Sequence, residues 1–224
     1  ASCNDTLAYS TIAVALGSAP GPVVANGKEV LECYANTTGT EPVNLLLRVR
    51  NGSAAAAAFA TKASGSQLIV SGDLILNDAT GASVLFVSMF CDAFEKQFIN
   101  ETVVVGRLSG EAKSSPTQKS VSRSLAVNRY QNNEEITDWF RLRGFGFVME
   151  KLTKAPKGAL VSVHGCLEQR TNKEGHPYLE LKCRSLRVHN KPKGQADPAA
   201  GTSASGYDSE SFNGSSDMST DWSN

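Results

Sequence analysis

The sequence predicts an all-β protein, two small barrels in tandem followed by an irregular tail. Three observations lead there. Short runs rich in Val, Ile, Leu and Thr are separated by turn residues every ten or so positions, the pattern of strands rather than long helices. Blocks of the chain recur at a nearly constant offset. Residues 195–224 are rich in Gly, Ser and Asp and contain no Lys or Arg, which predicts a disordered acidic segment.

The recurrence comes in three blocks. Gly27–Ala35 lies 91 residues before Gln118–Ala126, and Arg48-Val49-Arg50 lies 93 before Arg141-Leu142-Arg143. Leu68-x-Val70-x-Gly72-x-Leu74 lies 93 before Val161-x-Val163-x-Gly165-x-Leu167. Three blocks in one order, with two residues of drift, divide the chain into copies at 1–99 and 100–194 and a tail at 195–224.

The elements of the second copy follow in order. Thr102–Leu108 and Lys119–Arg129 read as strands, and the segment TDWFRLRGFGFV (137–148) as a third. A helical stretch over Val148–Leu152 precedes the turn Pro156-Lys157-Gly158 and a strand Ala159–Leu167. Asn172-Lys173-Glu174-Gly175 then turns the chain into Tyr178–Val188. Five strands with a short helix between the third and fourth is the order of an OB-fold, a small Greek-key barrel. The first copy repeats it: Val43–Arg50, an Ala-rich helix over Ala54–Ala63, Gln67–Leu76, a turn at 77–81, and Ala82–Phe90. Alanine is the best helix former, and the run sits where the helix is expected.

The third strand of the second copy carries the chemistry. On a strand, alternate side chains point to opposite faces. One face of 137–148 holds Phe140, Leu142, Gly144, Gly146 and Val148, which suits a core; the other holds Trp139, Arg141, Arg143, Phe145 and Phe147. Exposed rings beside guanidinium groups suit unpaired nucleic acid, because bases stack on the rings and phosphates meet the charge. In the last strand Leu179, Leu181 and Cys183 alternate inward and send Lys182 and Arg184 outward. With Arg107, Arg129 and Arg170 they extend a basic track.

Charge points the same way. The net charge is zero, yet residues 1–99 carry 5 basic and 8 acidic side chains, 100–195 carry 17 and 9, and 196–224 carry 0 and 5. A basic middle flanked by acidic ends implies a polyanionic partner for the second copy.

On Val105-Gly106-Arg107-Leu108, Ser124–Arg129, Thr137–Arg141, Phe145-Gly146, Lys157-Gly158 and Val161-x-Val163-x-Gly165-x-Leu167, residues 100–190 resemble the bacterial single-stranded DNA-binding proteins. The first copy resembles them mainly through the repeat. The resemblance implies that Trp139 and Phe145 stack on bases, with Tyr130 near the family's aromatic at the end of the second strand. The family often carries a Trp in the hairpin between the fourth and fifth strands; here that hairpin, 168–173, has no ring. The resemblance also implies particles of four barrels, hence a homodimer of this two-barrel chain. It implies further an acidic C-terminal peptide that recruits replication and repair enzymes, for which Asp217, Asp221 and Trp222 are the candidates. In the first copy Leu46 and Gly52 replace the two rings while Arg48 and Arg50 remain, so that copy is expected to serve assembly.

The expected function is sequence-nonspecific binding of single-stranded DNA in replication, recombination and repair, in a cytoplasmic, nucleoid-associated setting of a bacterium or organelle. The alternatives are an RNA-binding or primosome-type OB protein, and an interaction scaffold without useful nucleic-acid affinity. Catalysis is not expected, because His164, His176 and His189 lack partners at a catalytic spacing. Five cysteines without C-x-x-C spacing suggest a reducing compartment and no metal. No cofactor, no secretory signal and no membrane association are expected.

Overall fold

A computed structural model describes residues 6–190 apart from 77–81, 96 and 132. The turn expected at 77–81 and the tail, with Asp217, Asp221 and Trp222, lie outside the described residues.

The first barrel is built from β1 (Leu7–Leu16), β2 (Gly21–Ala25), β3 (Lys28–Thr37), β4 (Asn44–Arg50), α1 (Ala56–Ala60), β5 (Gln67–Ile75) and β6 (Val84–Asp92). The second is built from β7 (Asn100–Ser114), β8 (Ser120–Gln131), β9 (Glu134–Phe145), α2 (Gly146–Lys154), β10 (Leu160–Thr171) and β11 (Pro177–Asn190). Around the second barrel the order is β7-β8-β9-β11-β10 and back to β7, with β9 and β11 parallel and every other neighbour antiparallel. The first closes in the same way through β1, β3, β4, β6 and β5, again with one parallel pair, β4 with β6. Both are OB-folds, as expected. The first has a sixth strand because the chain breaks at residues 17–20, between β1 and β2, where β7 runs on through a bulge between Ser109 and Lys113.

Two details correct the sequence reading. Cys33 pairs with Leu47 and Leu125 with Phe140. If the third strands match at 93, the second strands match at 92 rather than 91. A slip of one residue exchanges the two faces of a strand, and only 92 puts buried Cys33 and Ala35 on buried Leu125 and Val127. The alanine helix is also shorter than expected. Its hold on the barrel is Phe59, fully buried and in edge contact with Phe90 at 5.4 Å. Burying that ring contributes about 2–3 kcal/mol, while the flanking alanines have little to bury.

The repeat is clearest where the backbone crowds. Gly72 and Gly165 both sit at bulges facing the last strand. A Cβ on Gly72 would lie 1.8 Å from the Phe86 carbonyl oxygen, and one on Gly165 2.2 Å from that of Lys182. Only glycine allows that approach, which is why the two Gly positions align at 93.

The two first strands join the barrels. Within its own barrel β1 reaches β3 only through Val14–Leu16, leaving the edge of Leu7–Ile12 open, and Asn100–Val105 of β7 fills it. Unpaired strand edges are costly when buried, so the pairing satisfies both strands and leaves no exposed edge there. At the centre of the seam the hydroxyls of Ser10 and Thr102, both buried, are 2.8 Å apart. Beside it, Thr6 Oγ1 donates to the Asn128 carbonyl at 2.8 Å and accepts from its N–H at 3.1 Å. Among the described residues no helix is long and apolar enough to cross a membrane.

Candidate nucleic-acid interface

The strands β8, β9 and β11 present the face of interest. Along β9, Phe140 and Leu142 are buried, while Trp139 is 52% and Phe145 41% exposed. Phe140 and Leu142 join the barrel core, so the core does not need the outward rings. Arg141 is exposed between them, and Arg143 is half-buried.

Register extends this line into a grid. Arg107 pairs with Ala126, which pairs with Trp139. The next row is Ser109, Ser124, Arg141 and the next Lys113, Ser122, Arg143, Lys182. Thus β8 contributes only Ser122, Ser124 and Ala126 between the cations of β7 and the rings of β9. The result is a shallow trough floored by small side chains and bordered by cations and rings. Sequence reasoning missed these residues, although the alternation Ser120, Ser122, Ser124, Ala126 was visible in the second strand. Phe145 ends the trough with the Lys182 ammonium 5.8 Å from its ring centre, and Phe147, at the start of α2, is exposed beneath the Lys151 ammonium at 4.5 Å.

Beneath the arginines lies Glu180, 1% exposed. Its Oε1 is 3.1 Å from Arg143 Nε and 3.8 Å from Arg170 Nε. Burial pushes the Glu180 carboxyl up from its ordinary range, against the opposing pull of Arg143, Arg170 and Arg141. The Glu180 carboxyl lies against the Nε of both guanidinium groups, and Arg170 also pairs with Glu168 through Nη2. Arg141 instead lies over the Tyr178 ring at 4.7 Å. The 168–173 hairpin has no ring, and Tyr178 at the start of β11 is the aromatic that follows it.

The outlying cations divide. Lys182 is 3.1 Å from Glu168, which also pairs with Arg170. Burial pushes the Glu168 carboxyl up, but the hydrogen bonds and charges of Lys182 and Arg170 outweigh it and hold the group below its ordinary range. Arg107 is exposed and reaches the Gly158 carbonyl at 3.4 Å. Arg184 turns away from the trough to Glu101, which His164 also meets. Arg129, expected on the basic track, is pinned to Asp138 at 2.8 Å and to Gln131, beside a cleft between the barrels. Tyr130, on the same cleft, is 55% exposed. The structure therefore gathers Trp139, Arg141, Arg143, Phe145, Lys182 and Arg107 on one face and sets Arg129, Tyr130 and Arg184 outside it.

Residues 99–184, the span of this barrel up to the middle of β11, match the single-strand binding protein family. The second barrel matches this family. Similarity of fold extends to the whole two-barrel body. The crystal structure of the wild-type single-stranded DNA binding protein from Thermus aquaticus superposes with a TM-score of 0.61 at 15% identity, covering 85% of this chain and 97% of that one. A deletion mutant of the same protein gives 0.61 at 14% identity, covering 86% and 100%. No curated protein matches the sequence. At such identity the superposition speaks for the fold, tandem OB barrels, and the family match for the second barrel.

Proposed function

We propose that the chain binds single-stranded DNA without sequence preference and coats exposed strands during replication, recombination and repair. The observation that carries this is the trough of the second barrel. Two half-exposed rings, Trp139 and Phe145, flank Arg141 and Arg143 over a neighbouring strand of small residues. Each base stacked on a ring contributes about 1–3 kcal/mol whatever its identity, and the arginines add phosphate contacts. Duplex DNA has its bases already stacked and offers the rings nothing, so preference for single strands follows.

Titration with oligo-dT tests this. Tryptophan emission is expected to be quenched on binding, with affinity falling as salt rises. Binding with unquenched emission would overturn the Trp139 assignment; Trp222 supplies a constant background. Competition between oligo-dT and oligo-U of equal length decides against an RNA target, and a gel shift at low salt decides against a scaffold with no affinity. The reading includes a homodimer of four barrels and recruitment of replication and repair enzymes through Asp217, Asp221 and Trp222. Solution mass tests the first, and a pull-down with a chain ending before residue 195 tests the second.

A further inference from the structure

The first barrel carries one exposed ring whose place in the repeat is informative. Tyr34 is 67% exposed between the buried Cys33 and Ala35, so the alternation of β3 puts it on the outer face. It pairs across to Leu46 of β4. With the second strands matched at 92 and the third at 93, Tyr34 corresponds to Ala126 and Leu46 to Trp139. Each barrel thus has one outward ring on this cross-strand step, carried by opposite strands. Both stacking positions of the third strand are lost from the first barrel, yet the face keeps an aromatic.

The ring is also well placed. Its backbone is anchored on both sides: the Tyr34 carbonyl accepts from Gly17 N–H at 2.8 Å, and its N–H donates to Ser18 Oγ at 3.1 Å. Tyr34 lines a cleft of about 390 Å³ between the barrels, together with Asn36 and Leu46 on its side and Gln169 and Tyr178 on the other. The cleft is held by the Asn44 N–H, which donates to Gln169 Oε1 at 2.9 Å. Tyr178, on the far wall, is the ring under Arg141, and Arg141 belongs to the trough. Tyr178 therefore borders both the cleft and the Arg141 side chain of the trough. The Tyr34 ring keeps two-thirds of its surface open beside this cleft.

We propose that a single strand leaving the trough crosses this cleft and stacks a base on Tyr34, making the first barrel part of the binding path. The proposal rests on the single-strand reading of the second barrel and extends it to a subsite that neither the third-strand pattern nor the basic charge indicates.

The test uses the full chain and two oligo-dT lengths, about 8 nucleotides to occupy one barrel and about 24 to span both. Tyr34→Ala is expected to weaken the longer oligomer roughly 5- to 100-fold and to leave the shorter within twofold of wild type, whereas Tyr34→Phe keeps wild-type affinity for both. Trp139→Ala weakens both lengths. Wild-type affinity of Tyr34→Ala for the longer oligomer, with Trp139→Ala still weak, overturns the subsite and leaves the second-barrel reading intact. Equal loss of both lengths in Tyr34→Ala also overturns it. Failure of the wild type to bind either length overturns both. Independently of any variant, a bromodeoxyuridine-substituted long oligomer is expected to photocrosslink to the peptide bearing Tyr34. Crosslinks confined to the second barrel reject the proposal.

Discussion

The third strands of the two barrels share a pattern of arginines but use it in opposite ways. In β9, Arg141 is exposed over Tyr178 and faces the trough. In β4, its counterpart Arg48 is 3% exposed, 2.7 Å from Glu32 and over the Phe86 ring at 6.0 Å. Leu46, the counterpart of Trp139, is likewise buried. The same sequence motif thus makes a solvent-facing surface in one barrel and an internal tie in the other. What differs is the company: an acidic residue opposite Arg48 on β3, where β8 offers Ser124 to Arg141.

The largest effect expected from this contrast is on stability. Arg48→Ala removes a buried cation and strands Glu32, which should lower unfolding free energy by up to about 3 kcal/mol in urea denaturation. Arg141→Ala should leave the midpoint in place. Next is Trp139→Ala, expected to weaken oligo-dT binding by about 1–3 kcal/mol in a fluorescence-anisotropy titration, with the melting temperature unchanged because the ring is half in solvent. Unchanged affinity would remove the trough as the interface. A third variant, Ser124→Glu, places a carboxylate beside Arg141 in the trough. It should reduce the slope of log affinity against log salt by about 1, as loss of one phosphate contact does.

The smallest effect concerns the clamp on Lys182. Glu168→Gln frees Lys182 and Arg170, and the salt slope is expected to rise by about 1 with a modest gain in affinity. The pH dependence has a defined sign. The Glu168 carboxyl is held below its ordinary range in the folded chain, so its pairing contributes stability above the unfolded value. That contribution fades as pH falls through the lower folded value, and protonation then releases both cations. An acid titration of stability, compared between wild type and Glu168→Gln, reads this directly.

Much of this was legible in the residues. The OB order followed from strand runs, turn residues and a helix in the right gap, and the two-faced character of 137–148 followed from alternation alone. The misreadings are equally specific. A second-strand offset of 91 maximised matching by residue identity, Lys28 with Lys119 and Val30 with Val121, whereas the cross-strand register at 92 pairs Cys33 with Leu125, which look unlike. Arg129 looked like any exposed arginine because its anchor, Asp138, lies on the next strand. Tyr34 passed unremarked because its meaning depends on its cross-strand partner Leu46. Tyr178 gained a position only when Arg141 was found over it.

The sequence by itself determined the repeat, the barrel order and which face of β9 is wet, because each depends on neighbours along the chain and on side-chain polarity. Only the tertiary structure decided which arginines are free to meet a ligand, that the two first strands share one seam, and that a cleft joins the barrels at Tyr34 and Tyr178. Those outcomes depend on pairs far apart in the chain, such as Ser10 with Thr102 and Asn44 with Gln169. Local pattern has no access to such pairs until the strands are in register.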